Sequence, residues 1–456
     1  MKYIPCFNKR RLPLALQFKD FQARVAQSDK KSRLKIAITR HNGLVFHFSM
    51  DIFSDGKARE EGYLLAERMI KSALWIAGGY KITVFGSKYI YERLKADYVA
   101  GGKRQFDADF MARVYERPFT VDYAKVEDDL PPEKSASVKI GGHIKGCRIG
   151  FDGGGSDRKV SAVIDGKVVY TDETVWNPKE SADWRYQYEG IKDSLIRAKE
   201  NLPKVDAIGV STAGVCIDNR IMVSSLFVKI DESDFEDHVK DIYLDLGREL
   251  GAPVTVANDG DVTALAGALS LNAGNVLGIS LGTSEAGGYI NGDGNLNDYI
   301  SELAFVPIFI DEDAYVDEWS GDRGVGAKYL SQDGAIALAR EAGVVFESGL
   351  TKAQCLERIL QLLRRGDEKI IDVYKNLGRF LGHAIGLYGV FYKIEYLLLL
   401  GRVTGCGGGR IMAQEARSVI EEYYPELASV KILPPDEGSE RLRQSITAAT
   451  LTELEK

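Results

Sequence analysis

A strand that ends in an acid, three glycines, a hydroxyl and a lysine can wrap its backbone around phosphate, and residues 149–159 (IGFDGGGSDRK) have that order. Gly153, Gly154 and Gly155 carry no Cβ and can take positive φ, so their N–H groups can turn toward an anion that a larger residue would hold away. Ser156 adds a hydroxyl donor. Asp152, where the strand stops, can hold Mg²⁺ directly or through water, and Lys159 can supply positive charge. The same residues also suit an ordinary glycine-rich hairpin, because residues 160–169 (VSAVIDGKVV) return as a strand around Asp165 and Gly166. A hairpin and a phosphate loop are compatible.

Residues 275–291 (NVLGISLGTSEAGGYIN) repeat this plan of strand, glycine-hydroxyl turn and returning strand, here around Asn291 and Gly292. Two such hairpins about 130 residues apart suit an internal duplication of domain size. Between them, residues 253–257 form an apolar strand running straight into Asn258 and Asp259. A carboxyl placed there, before a helix of small residues, can be partly buried, raised in pKa and used as a base. The competing role for Asp259 or Asp261 is to cap that helix. Later, Gly405, Gly407, Gly408 and Gly409 follow a buried strand and open a helix from Ile411 to about Tyr423, which suits either a nucleotide or a plain surface loop.

The elements that must position these residues are legible in outline. Residues 34–50 (LKIAITRHNGLVFHFSM) alternate around Asn42 and Gly43 and predict a hairpin. A helix over 58–76, a strand over 80–85 and a helix over 88–98 complete an α+β module without helix-turn-helix character. Residues 128–137 (DDLPPEKSAS) break all periodicity and read as a linker. Beyond it come a strand at 147–151, a loop around Trp176, Asn177 and Pro178, a helix near 188–199, a strand at 205–211, a helix at 237–250 and a strand at 253–257. His383 falls in an apolar helix over 377–392, where packing is its expected role.

With 456 residues, 45% of them hydrophobic and 27% charged, the chain reads as soluble and globular, of about three domains by length. No apolar run reaches bilayer length and the amino terminus lacks a secretion signal, which points to the cytoplasm and away from membranes. Five scattered cysteines give neither a disulfide framework nor a zinc knuckle. The net charge of −7 conceals a basic amino-terminal part. That arm can meet nucleic acid, solvent, or the acidic remainder of its own chain, and the last two are favoured.

Taken in order, these motifs resemble the ROK family of sugar kinases and repressors, in the actin, hexokinase and Hsp70 superfamily, over roughly residues 145–450. Residues 152–159 are similar to the family's first phosphate motif, with Ser156 where threonine is usual. Residues 208–218 (IGVSTAGVCID) look like one wall of the sugar site, and residues 253–267 (PVTVANDGDVTALAG) like the segment whose Asn-Asp pair meets sugar hydroxyls. Gly282, Thr283 and Ser284 resemble the second phosphate motif, and residues 397–409 (LLLLGRVTGCGGG) the adenosine motif, with Arg402 where glycine is more usual.

The resemblance implies two ribonuclease-H-like α/β domains of the actin-like ATPase type with an interdomain cleft, after an amino-terminal α+β module. The expected boundaries are 1–127 for the module, 128–144 for the linker, 145–268 for the first domain, with a carboxy-terminal helix of about 437–452 packing back on it, and 269–436 for the second. It implies an ATP-dependent, Mg²⁺-requiring carbohydrate kinase with Asp259 as general base. Asn258, Glu302, Ser211 and Thr212 would meet the sugar. Asp152 would serve the metal and, with Gly154, Gly155, Ser156, Lys159, Gly282, Thr283, Ser284, Gly401, Gly407 and Gly408, the nucleotide.

The chain departs from the family at Phe305, which replaces the histidine of a Glu-x-x-His pair, and at residues 311–324 (DEDAYVDEWSGDRG), which lack the cysteines of a zinc loop. An aromatic ring favours stacking or a less hydroxylated substrate. The loop around Trp319 and Arg323 stands where the zinc loop would shape the sugar cleft. Two further readings are a non-catalytic, sugar-responsive ROK-type regulator and an ATPase or scaffold acting without sugar. The expected partners are a small sugar and a nucleotide; a homodimer stays open, and the module argues against nucleic acid.

Overall fold

The computed structural model describes residues 4–7, 9–434 and 443–454. The chain forms two compact units, one built from residues 1–136, 279–287 and 298–435, the other from 137–278, 288–297 and 436–456.

In the second of these units the sheet runs in the order Lys167–Val175, Asp157–Ile164, Cys147–Gly153, Ala207–Thr212, Val254–Asn258. The first three strands form an antiparallel meander, and the last two join Cys147–Gly153 in parallel. Asp165 and Gly166 both take positive φ, as the tight hairpin requires. Ile149, Phe151, Val160, Ala162, Ile208 and Val210 face a core completed by Trp176, Ile191 and Leu195. The helix Trp184–Lys199 is capped by Asp183, whose carboxylate accepts from the Arg185 N–H. The helix expected at 437–452 is observed as Arg443–Ala448; residues 435–442 lie outside the described residues. It packs on this sheet, where Ser445 Oγ meets Ser161 Oγ at 2.6 Å. A Cβ at Gly150 would collide with the Ser445 carbonyl.

The other unit holds the amino-terminal module, a four-stranded sheet ordered Val45–Phe53, Lys31–Thr39, Lys81–Phe85, Thr120–Tyr123. The Asn42–Gly43 hairpin is present in full register, from Thr39 against Val45 to Lys31 against Phe53. The helix Arg59–Ala77 crosses it and is buried on nearly every side, including Glu67, Arg68 and Lys71. Its last carbonyls find partners far along the chain: Ser301 N–H donates to Ile76 O at 3.0 Å and Glu302 N–H to Trp75 O at 2.9 Å. Two helices that the sequence reading did not include, Leu14–Ala26 and Gln105–Tyr115, complete the module. In the same unit, strand Tyr396–Leu400 pairs in parallel with Lys431–Leu433, and helices Glu368–Tyr388 and Gly408–Tyr423 pack on each other. His383 is buried in the first of these, with Nδ1 2.8 Å from the Tyr424 hydroxyl, and burial lowers it to about 3.

The basic amino terminus is spent on acidic residues of this unit. Arg11 reaches Asp311 at 2.9 Å, Arg40 reaches Asp298 at 2.9 Å, and Lys19 reaches Glu426 at 2.8 Å. A buried cluster lies deeper, where Asp322 meets Arg68 at 2.7 Å, Arg104 at 2.8 Å and Lys71 at 3.0 Å. Glu67 pairs with Arg104 and Lys103, and Asp107 accepts from Lys71 and the Trp75 indole. Burial alone would raise Glu67, yet Arg104, Arg68 and Lys103 hold it at about 2, and Lys71, Arg68 and Arg104 likewise hold Asp322 well below the ordinary carboxyl range. Replacing Asp322 by alanine leaves three cations around an empty position, so a loss of about 3–5 kcal/mol is expected in denaturant unfolding. An unchanged midpoint would show that the cluster contributes nothing to stability.

Candidate functional site

Strand register puts the chemistry in one place. Ser211 lies beside Asp152 and Thr212 beside Gly153, while Ala257 and Asn258 flank Ser211 and Thr212 from the other side. Asp152, Ser211, Thr212, Asn258 and Asp259 therefore gather at the carboxyl ends of three neighbouring parallel strands, the edge where open α/β sheets bind ligands. Adjacent strands lie about 4.8 Å apart, so the two acids flank the central strand.

Asp152 is buried, and its Oδ1 accepts from the Ser211 hydroxyl at 2.7 Å. Its Oδ2 is 3.7 Å from Lys159 Nζ. Burial raises its pKa, against the pull of Ser211 and Lys159. Lys159 itself is buried and also paired with Asp157, so its charge is committed to two carboxylates. Thr212 is fully buried, and its Oγ1 accepts from the Tyr243 hydroxyl at 3.0 Å.

The capping alternative for Asp259 is resolved by its neighbour. Asn258 caps the helix Asp259–Leu271, accepting from the Gly260 N–H at 2.8 Å, while its Nδ2 donates to Gly214 O at 2.8 Å. Asp259 Oδ1 takes a further bond from the same Gly260 N–H at 2.9 Å. Although the residue keeps part of its surface open, protein atoms crowd its carboxyl. Burial first, and then the Asp152 charge, raise it to about 7, against the Gly260 N–H and the Lys179 ammonium. A carboxyl poised there can exchange a proton at neutral pH.

The glycine turn differs from expectation in its backbone. None of Gly153, Gly154 and Gly155 takes positive φ. Their value lies in the missing Cβ: at Gly154 one would sit 2.9 Å from the Asp157 carbonyl, and at Gly155 3.3 Å from Lys179 Cε. The turn's edge at Gly155 and Ser156 is exposed. The second hairpin also turns differently, since Asn291 Oδ1 accepts from the N–H groups of Asp293 and Asn295 and Gly294, not Gly292, takes positive φ.

The remaining candidates belong to the other unit. Gly282 accepts at its carbonyl from the Gln332 N–H at 2.9 Å, and Thr283 and Ser284 form the turn beside it. Gly401 takes φ 94° and lies against Leu281, where a Cβ would come within 2.5 Å of that carbonyl. The strand end that leads into Gly282 and the loop that Gly401 opens therefore touch. Gly407 takes φ 83° and precedes the helix that Gly408 begins, with open space where its Cβ would be. Glu302 sits at the end of helix Arg59–Ala77. Phe305 stacks on Trp75 at 4.2 Å between centroids and meets Phe106, Phe110 and Trp319 at 5.7, 6.1 and 5.3 Å.

Sequence reading passed over Glu285, immediately after the turn of Gly282, Thr283 and Ser284. Its Oε1 accepts from the Tyr388 hydroxyl at 2.8 Å, and no described residue bonds its buried Oε2. Burial raises it to about 8, so it is mostly neutral at pH 7. Among the described residues no group of three or more His, Cys, Asp or Glu side chains is arranged to hold a metal.

No protein-family model matches the sequence, and no protein of curated function does. Solved structures match the fold. The ROK-family glucokinase of Streptomyces griseus, solved with glucose and AMPPNP, aligns at TM-score 0.50 and 19% identity over 67% of this chain and 98% of its own. The ROK hexokinase of Thermus thermophilus aligns at TM-score 0.50 and 18% identity, over 67% and 97%. A ROK-family transcriptional regulator, a homologue of the E. coli MLC protein, aligns at 0.55 and 18%, over 68% and 78%. The chain thus shares the fold of these ROK-family structures, as the motifs implied.

The raised Asp259 pKa has a measurable cost. The folded chain holds that proton to about 7 against an ordinary value of 3.8, so folding stability falls as pH rises between the two. Asp259→Asn removes the loss, and its melting temperature should exceed the parent's at pH 8 with the gain vanishing near pH 4. A pH-independent difference would mean that Asp259 titrates as an ordinary surface acid.

Proposed function

We propose that the protein is an ATP-dependent carbohydrate kinase, transferring the terminal phosphoryl of ATP to a sugar hydroxyl. The observation that carries this reading is Asp259, a crowded carboxyl held near neutrality at the carboxyl edge of a ROK-type sheet. The kinase structures that share the fold lend it support, one of them solved with glucose and AMPPNP.

Phosphoryl transfer needs positioning and charge neutralisation more than covalent help. Asp259 accepts the proton of the attacking hydroxyl. Asn258 presents the neighbouring polar edge, and Ser211 and Thr212 act from beneath: Ser211 orients Asp152, and Thr212 bonds Tyr243. The Gly154 N–H closes its turn on Asp157 O, so Gly155 and Ser156 offer the N–H groups and hydroxyl to phosphate, and the turn of Gly282, Thr283 and Ser284, closed by the Gly282 N–H on Ser284 O, is the second of this kind. Gly407 leaves room for the nucleoside, while Gly401 and Gly408 let the backbone pack closely on Leu281 and Tyr374. Asp152 would hold a Mg²⁺ that arrives with the nucleotide through Oδ2, which Lys159 faces only at 3.7 Å while Ser211 takes Oδ1, and this ion keeps most of its ligands as water and phosphate. When bound, the ion neutralises phosphate charge. Glu302 offers the sugar one carboxylate, and Phe305 beside it is buried against Trp75, so no imidazole adds a hydrogen bond there.

Asp259→Asn should bind nucleotide and lose about 10²–10⁴-fold in transfer to sugar. In the parent, kcat/KM should climb as pH rises through about 7, where the base loses its proton. Undiminished turnover in the variant would remove Asp259 from the mechanism.

A regulator without catalysis is the second reading, favoured by the alignment with the ROK transcriptional regulator. The pairing of amino-terminal Arg11, Lys19 and Arg40 with acids of their own unit leaves little charge for DNA. Binding of full-length protein to duplex DNA that weakens steeply with salt would support this alternative over the kinase.

A further inference from the structure

We propose that Lys179, not Lys159, is the cation that meets the transferred phosphoryl group; the inference rests on the kinase reading above. Sequence spacing favours Lys159, which lies in the first phosphate motif. Its ammonium is nevertheless buried, paired with Asp157 and close to Asp152, and a lysine bound to two carboxylates has little charge to give an incoming anion.

Lys179 lies 24 positions beyond Gly155, on the short turn Pro178–Glu180. That turn is tied to the glycine loop. The Trp176 indole donates to Gly154 O at 2.8 Å, and the Trp176 N–H to Ser156 O at 3.1 Å. Gln187 Nε2 holds Pro178 O at 2.8 Å, and the Tyr186 hydroxyl accepts from the Asn177 N–H at 3.0 Å. The anchoring brings Lys179 over Gly155 so closely that a Cβ on the glycine would lie 3.4 Å from Nζ. The side chain is half-buried, and no described residue forms a hydrogen bond or ion pair with its ammonium. Its charge also acts on Asp259.

These neighbours define what a ligand would present to the ammonium. The glycine turn is the phosphate-binding element and Asp259 is the base, so the migrating phosphoryl must pass between the phosphates held by the turn and the hydroxyl held by the base. A cation facing both stands beside that group. It neutralises charge there and donates hydrogen bonds without forming a covalent bond. A side chain at Gly155 would press on the end of Lys179, which lies 3.3 Å from the Cβ position at Cε.

The experiment compares binding of AMPPNP and ADP, with Mg²⁺, to the full chain by calorimetry. Lys179→Met should weaken AMPPNP binding by about tenfold or more while leaving ADP within about twofold, the effect expected when one charge-assisted contact to the terminal phosphate is lost. Lys179→Arg should restore most of it. The methionine variant should also move the acid limb of residual kcat/KM to higher pH, since it removes a cation that favours the Asp259 carboxylate. Equal AMPPNP-to-ADP preference in parent and Lys179→Met, or selective loss in Lys159→Met instead, would overturn the assignment and leave the kinase reading intact. A parent chain that binds neither nucleotide would overturn both.

Discussion

Two carboxyl groups at the carboxyl ends of parallel strands in one mixed sheet, with a single strand between them, are the constraint on which the site depends. Water is scarce there, and each negative charge makes the other more costly. The surroundings divide the burden unequally: Asp152 receives the Ser211 hydroxyl and the Lys159 ammonium, whereas Asp259 receives one backbone N–H and a more distant lysine. The less supported acid is therefore the better base. Burial raises both carboxyls, and the unequal support sets Asp259 apart as the one that can exchange a proton near pH 7.

The amino-terminal module obeys a different economy. Glu67, Arg68, Lys71, Arg104, Asp107 and Asp322 would each be expensive to bury alone, and together they leave few donors or acceptors without a partner. Because Asp322 lies some 200 residues beyond the helices that carry the other five, the cluster joins distant segments of one unit. The hydrogen bonds from Ser301 and Glu302 to the last turn of helix Arg59–Ala77 do the same for the backbone. A module joined in this way acts as part of the unit that carries Glu302, not as a tethered arm.

Local signals explain which of these features could be read in advance. The hairpins at Asn42–Gly43 and Asp165–Gly166 were legible because left-handed turns demand those residues, and helix Arg59–Ala77 because Gly78 and Gly79 end it. Helix Gln105–Tyr115 has neither signal: no side chain caps its start, and Glu116, an unusual residue for the left-handed conformation, closes it. Helix Leu14–Ala26 likewise begins after Pro13 without a side-chain cap. Packing and ion pairs hold both, and such contacts span hundreds of positions. The same limit applies to the site. Asp152, Asn258 and Asp259 sit in strand ends that the pattern revealed, whereas the loop at Trp176 was visible as a loop without any sign that it folds back over Gly155.

The position of Phe305 joins these arguments. Where the family resemblance leads one to expect a histidine and a cysteine-bound zinc, this chain has five aromatic rings in contact and a buried network of charges. A structural zinc contributes folding free energy by tying a loop that has little core of its own. Here the loop is tied at Asp322 by three cations and at Trp319 by Phe106 and Phe110, all supplied by the amino-terminal module or by Phe305 beside it. The loop that the resemblance would tie with zinc is tied here by packing and ion pairs, and Phe305 is buried within that packing.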